Sequence, residues 1–233
     1  MITKRDNTER GTANLGWLDS KHTFSFGDYH DSNHMGFGPL RVINEDRVEP
    51  GAGFNTHPHK NMEIISYVLD GALAHKDSMG NGSVIHPGDV QLMSAGSGVT
   101  HSEFNHSENN NVHFLQIWII PNVEDEDPGY QQKNFALEDK HNQFCLVVSP
   151  DGEDGSLTVK QDAKMLIGSF EKDAEKQIAA NPNRKYWIQI AKGQAEINGI
   201  KASSGDGLAI EQEEDIQLVA KTECEILLFD LPA

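Results

Sequence analysis

Two short stretches concentrate side chains able to bind a metal ion. In Gly51-Ala52-Gly53-Phe54-Asn55-Thr56-His57-Pro58-His59-Lys60-Asn61-Met62-Glu63, two histidines stand two apart and lead into an apolar run. Side chains alternate faces along a strand, so His57 and His59 point the same way. In Thr100-His101-Ser102-Glu103-Phe104-Asn105 the same spacing aims one imidazole and one carboxylate at a common point. If the two strands face each other inside a barrel, three nitrogens and one oxygen converge. That donor set suits a borderline divalent cation, iron(II) first, with manganese, nickel, cobalt, copper and zinc also compatible. Four protein ligands leave about two positions of an octahedron for substrate and dioxygen. A His-x-His pair alone is common on surfaces; the second pair is what gives the first its meaning. Glu63 shares strand parity with His57 and His59, so it competes for the acidic position or supports it from outside. Glu103 is preferred because it stands directly beside His101.

The elements that must hold these pairs are strands. Short β-branched and aromatic runs recur at Thr23 to Phe26, Leu40 to Ile43, Ile64 to Leu69, Val90 to Met93, Val112 to Ile120, Phe144 to Val148, Tyr186 to Ile190, Leu208 to Ile210, Ile216 to Val219 and Ile226 to Leu231. Turn-forming pairs such as Asp70-Gly71, Pro87-Gly88, Asp151-Gly152 and Asn198-Gly199 separate them, an all-β pattern of sandwich or barrel type. Only Glu171 to Ala180 reads as helical.

A weak internal repeat relates Tyr67 to Leu73 plus Gly88-Asp89 with Ile190 to Glu196 plus Gly205-Asp206. The acidic segment Asn122 to Gly129 lies between the copies, and the boundary is expected near it, giving domains 1–130 and 131–233. All eleven histidines lie at or before His141. Sliding one copy onto the other puts Ala179, Asn181, Leu218 and Ala220 where His57, His59, His101 and Glu103 stand, so the second half is expected to lack a metal site.

Composition excludes several functions. A formal charge of -17 on 233 residues repels a phosphate backbone, so direct nucleic-acid binding is not expected. No window approaches the roughly 18 unbroken apolar residues of a membrane span, and the charged first ten residues lack the apolar core of a secretory signal. A cytoplasmic protein is expected. Cys145 and Cys224, the only cysteines, show no CxxC spacing and read as small hydrophobes. Gly96-Ser97-Gly98 has no following lysine in phosphate-loop register, and no nucleophile elbow points to a hydrolase. Trp17, Phe24, Phe26, Phe37 and Phe54 read as core aromatics, and Glu211 to Asp215 as a solvated turn. The remaining histidines read as ordinary polar side chains, with His75 and His113 held in reserve because each lies in or beside a strand of the histidine-rich half.

Gly51 with five residues to His57, then His59 and Glu63, and later His101 with three residues to Asn105, resembles the two cupin motifs. The likeness narrows with Gly16-Trp17-Leu18-Asp19-Ser20, His22-Thr23-Phe24-Ser25-Phe26 and Met35-Gly36-Phe37-Gly38-Pro39-Leu40-Arg41-Val42-Ile43-Asn44, which together with His57-Pro58-His59 and His101-Ser102-Glu103 resemble the pirin family. It covers most of residues 10 to 120 and is looser beyond about residue 140. The resemblance implies a bicupin of two β-barrel (jelly-roll) domains, with iron in the first barrel on His57, His59, His101 and Glu103. It also implies a dioxygenase acting on a flavonol such as quercetin, opening the ring with release of carbon monoxide, and with Glu103 doubling as the base that takes the substrate proton. A polyphenol and dioxygen are then the partners. A monomer is expected, since a bicupin satisfies within one chain the pairing that single cupins find in a dimer. Two other readings stay open at this point: an iron-containing regulator that binds a transcription factor or metabolic enzyme, and a cupin of unrelated chemistry such as an isomerase.

Overall fold

Alternation of buried and half-exposed residues, as along Val99-Thr100-His101-Ser102-Glu103-Phe104-Asn105, commits the chain almost entirely to strands. The computed structural model describes residues 1–233. Its strands run β1 (Ile2–Arg5), β2 (Gly11–Asn14), β3 (Leu18–His22), β4 (Leu40–Val48), β5 (Gly53–His59), β6 (Glu63–Asp70), β7 (Leu73–Asp77), β8 (Gly82–Ile85), β9 (Asp89–Ser94), β10 (Val99–Asn105), β11 (Val112–Ile119) and β12 (Gly129–Asn134). They continue as β13 (Phe144–Ser149), β14 (Leu157–Thr158), β15 (Lys164–Phe170), β16 (Glu175–Ala179), β17 (Lys185–Lys192), β18 (Gln194–Ile197), β19 (Ile200–Ser203), β20 (Gly207–Glu211), β21 (Asp215–Ala220) and β22 (Cys224–Leu231). No helix is long and apolar enough to cross a membrane.

The chain divides into two compact units, one of Gly11–Asn134 with Val159–Gln161, the other of Met1–Arg10, Phe135–Thr158 and Asp162–Ala233. Against the expected division at 130 and 131, pairing of β12 with β9 carries the first unit to Asn134. Pairing of β1 with β20 takes the opening residues into the second.

The first unit is a cupin barrel of two sheets, ordered β12-β9-β6-β11-β4-β3-β2 and β5-β10-β7-β8. Leu18, Val48, Val68, Leu73, Ile85, Val112 and Phe114 form one of its apolar clusters, and Ile64, Met93, Ala95 and Val99 another. The second unit repeats the architecture with β1-β20-β17-β22-β15-β13-β14 and β16-β21-β18-β19.

The stretch expected to be helical, Glu171 to Ala180, contains a strand instead. Asp173 takes a left-handed φ of 66°, which interrupts any helix, and Glu175–Ala179 pairs antiparallel with Asp215–Val219. Its helix-favouring residues are overridden by that pairing, with Lys176 and Ile178 turned to the half-buried face. Thr23 to Phe26, expected as a strand, runs beyond the end of β3, with Thr23 to Ser25 buried and the half-buried Phe26 in an isolated bridge to Tyr29.

Register shows what replaced the histidines in the second unit. Ile178 pairs with Ile216 as His57 pairs with His101, and Ile197 with Leu218 as His75 with Glu103. The counterparts of His57, His59, His101 and Glu103 are therefore Ile178, Ala180, Ile216 and Leu218. This moves the sequence alignment by one residue on β16 and two on β21. All four side chains are apolar, and they belong to or pack against one core cluster with Ile188, Ile197 and Ile226.

Candidate metal centre

His57 lies near the end of β5, opposite His101 on β10, with His59 two residues further along the same face. The register slips between His101 and Glu103, where β5 carries one residue more than β10, a bulge in β5 between Phe54 and His57. Gly53 lets the two strands meet there: a Cβ on it would stand 2.3 Å from the Glu103 carbonyl oxygen and 2.5 Å from Phe104 Cα.

The three imidazoles converge as their spacing requires. Ring centroids are 4.8 Å apart for His57 and His59, 4.5 Å for His57 and His101, and 4.8 Å for His59 and His101. Their nitrogens lie within 4.8 Å of one another, close enough to share one ion. Burial, then the neighbouring His57, holds His59 down to about 4. Burial, followed by His57, His59 and His75, holds His101 down to about 3. Both rings are thus neutral at pH 7 and keep a lone pair for coordination. His57 Nδ1 lies 2.7 Å from the Asn55 carbonyl oxygen, which accepts only; Nδ1 must carry the proton, leaving Nε2 as the donor atom. His101 Nε2 is buried without a hydrogen-bond partner. A buried orphan nitrogen among imidazoles is costly unless a cation uses it, so these residues fit a divalent ion.

Glu103 is 2% exposed. One carboxylate oxygen accepts from Ser66 Oγ at 3.0 Å and the other from Gln116 Nε2 at 2.7 Å. Burial pushes its carboxyl up to about 7, and the nearby Asp46 adds to the effect. It groups within 4.8 Å with His101 and His75, not in the three-histidine set. Glu63 is in neither group: its Oε2 accepts from Ser94 Oγ at 2.8 Å and from the Lys160 backbone N–H at 3.3 Å.

His57 and His59 open onto a cavity of about 490 Å³ lined also by Glu103, Gln116, Asn44 and Asp46. Asn44 Oδ1 and Asp46 Oδ1 are buried without partners. Trp118 stands edge-on to His59 at 5.0 Å, and Phe26 edge-on to Trp118 at 5.3 Å. Of the aromatics expected in the core, Phe24 is there, whereas Phe26 and Phe54 line this cavity. His113 pairs with Glu45 at 2.9 Å, and His141 lies in the other unit.

Ser66, Gln116, Asn44, Asp46 and Trp118 carry no spacing signal and emerge only when β4, β6 and β11 lie side by side. His75 and Asp77 did carry one: His75-Lys76-Asp77 has the same two-residue spacing as His57/His59 and His101/Glu103.

The family model Pirin matches residues 3–119, and the model Quercetinase C-terminal cupin domain matches residues 146–231. The quercetin 2,3-dioxygenase of Escherichia coli (strain K12) is 52% identical over 235 residues, covering 100% of this chain and 99% of that protein. A pirin-like protein of Caulobacter vibrioides is 38% identical over 231 residues, covering 99% of each. The crystal structure of the bacterial pirin YhhW from Escherichia coli in complex with nickel(II) matches with a TM-score of 0.95 at 50% identity, covering 100% of this chain and 99% of that one.

Proposed function

Because the chain belongs to the pirin family, we propose that it is a metal-dependent dioxygenase opening a flavonol such as quercetin, with an iron(II)-class ion on His57, His59, His101 and Glu103. The observation that carries the reading is the convergence of three imidazoles, one of them with the orphaned His101 Nε2, beside a cavity that His57 and His59 line. Quercetin 2,3-dioxygenase is the name of the 52% identical Escherichia coli relative, and nickel(II) is what YhhW binds in its crystal structure. Both support the reading.

The ion supplies Lewis acidity and redox capacity that an all-protein site lacks. The remaining work falls to side chains. Glu103, whose carboxyl burial raises to about 7 in the metal-free protein, would take a flavonol hydroxyl proton once it loosens from the ion. Ser66 and Gln116 hold that carboxylate in place through one hydrogen bond to each oxygen. A cavity of about 490 Å³ falls in the range of small-molecule sites. Phe26 and Trp118 offer ring edges and faces to a planar substrate, while Asn44 Oδ1 and Asp46 Oδ1 stand ready to accept its outlying hydroxyls.

The test is oxygen uptake, loss of flavonol absorbance and carbon monoxide release, with protein loaded separately with iron(II), nickel(II) and manganese(II). Turnover with iron as the best metal supports the whole reading. Turnover with nickel alone overturns the choice of iron, and none with any fully loaded form overturns the flavonol dioxygenase.

A further inference from the structure

Behind His101, away from His57 and His59 in the pairing order of the sheet, β7 carries two buried ionisable residues that the proposed chemistry does not use. Asp77 pairs across the strands with His101, and His75 with Glu103. The side chains of both are fully enclosed. His75 Nε2 lies 3.2 Å from Asp77 Oδ2, and His75 Nδ1 lies 3.5 Å from His101 Nδ1. Tyr130 covers the His75 ring at 5.0 Å, with the planes 33° apart.

We infer that Asp77 and His75 form a positioning relay that fixes the tautomer of His101, so that its Nε2 faces the other two histidines with a free lone pair. The inference rests on the metal reading of that site. The order of protons follows from which atoms can only accept. Asp77 Oδ1 accepts the backbone N–H groups of Met79 at 2.9 Å and Asn81 at 3.0 Å, and Oδ2 accepts Asn81 Nδ2 at 2.9 Å. Burial opposes ionisation of Asp77, but hydrogen bonds from Asn81, His75 and Met79 outweigh it and hold its carboxyl below the usual range. A carboxylate accepts only, so His75 must carry its proton on Nε2. Its Nδ1 is then an acceptor, and His101 Nδ1 must be the donor. A neutral His101 protonated on Nδ1 has a bare Nε2, the buried atom with no partner.

This order also rules on His75 itself. It groups geometrically with His101 and Glu103 as three possible ligands, but both of its nitrogens are already engaged. His75 is therefore a positioning residue and not a fourth imidazole ligand. Such partners fix ring orientation and raise ligand basicity, and losing them typically weakens metal binding by about 10- to 100-fold.

Asp77→Asn inverts the relay without removing an atom. The two backbone N–H groups keep the amide oxygen on their side, so its NH2 faces His75 Nε2 and drives His75 to the Nδ1–H tautomer, while the Asn81 side-chain amide turns to present its oxygen to that NH2. Two N–H groups would then oppose each other at His101. The probe is cobalt(II) alone, competed against a chelator, with folding followed by melting of the metal-free protein. The expected result is about 10- to 100-fold weaker cobalt binding in Asp77→Asn, with the metal-free melt little changed. In a His75→Ala background the same substitution should have no further effect. Proton NMR of the cobalt form in water gives a second readout: the shifted, slowly exchanging His101 Nδ1–H resonance should be present in the wild type and lost in Asp77→Asn, while that of His57 persists. Cobalt affinity within about threefold of wild type, or a retained resonance, overturns the relay. Failure of the wild type to bind cobalt overturns the metal reading and the relay with it.

Discussion

Replacing Asp46 with Asn should flatten the dependence of metal-free stability on pH. Asp46 is 4% exposed, and burial pushes its carboxyl from 3.8 up to about 7, with a hydrogen bond from Ser20 working the other way and the charges of Glu45 and Asp19 adding to the rise. A carboxyl with a raised folded-state pKa stabilises the fold fully below its unfolded pKa and loses that contribution as pH rises through the folded value. The window here runs from about 4 to about 7. Between about pH 5 and about pH 8 the unfolded Asp46 is already ionised while the folded one must still give up its proton, a loss of roughly 2–3 kcal/mol. For a protein of this size that corresponds to a fall in Tm of roughly 5–10 °C. The Asn side chain has the shape of the protonated acid and nothing to ionise, so this part of the slope should vanish. The assay is scanning calorimetry of chelator-treated wild type and Asp46→Asn at several pH values across that range. Parallel curves for the two proteins would refute the reasoning, because they would mean that Asp46 ionises as freely folded as unfolded.

Three further substitutions probe other parts of the account. Gly53→Ala should force the bulged β5 away from β10, since its Cβ would meet backbone atoms at 2.3 and 2.5 Å; thermal unfolding should show a loss of about 1–3 kcal/mol, together with weaker cobalt binding. Asn44→Leu removes an unpartnered acceptor from the cavity and should raise the KM for quercetin about tenfold in steady-state assays while leaving the bound metal unchanged. Leu218→Glu buries an unpaired carboxylate in the core of the second unit at a cost of several kcal/mol, and elemental analysis should find no added metal because Ile178, Ala180 and Ile216 offer no donors.

The two candidate donor pairs were legible because a strand has period two: His-x-His and His-x-Glu present paired side chains, and the three rings do converge. The pirin likeness was legible in the first 120 residues, where motif residues cluster around the site. The fold class was readable from strand-sized apolar runs between turn pairs. Boundaries and partners were harder, since they depend on long-range pairing. β1 joins β20 across some 200 residues of sequence, and nothing in Ile2-Thr3-Lys4-Arg5 announces that. Glu175–Ala179 has helix-forming residues and becomes a strand because β21 offers it an edge. Ser66 and Gln116 sit in largely apolar strands and Asn44 among the charged residues of β4, and the sequence shows for none of them which neighbour it faces in three dimensions. His75 and Asp77 share the same period-two spacing, His-x-Asp, but the sequence does not show that β7 lies against β10 and so puts them beside His101.

The most direct test is anomalous diffraction at the metal absorption edge from crystals of anaerobically purified protein, alongside elemental analysis of the same preparation and of His101→Ala and Glu103→Ala. The account predicts one equivalent of metal per chain, a single anomalous peak within bonding distance of His57, His59, His101 and Glu103, and loss of that peak in the His101 variant. A peak elsewhere, or protein that stays metal-free after loading with iron(II), nickel(II) or cobalt(II), would contradict it.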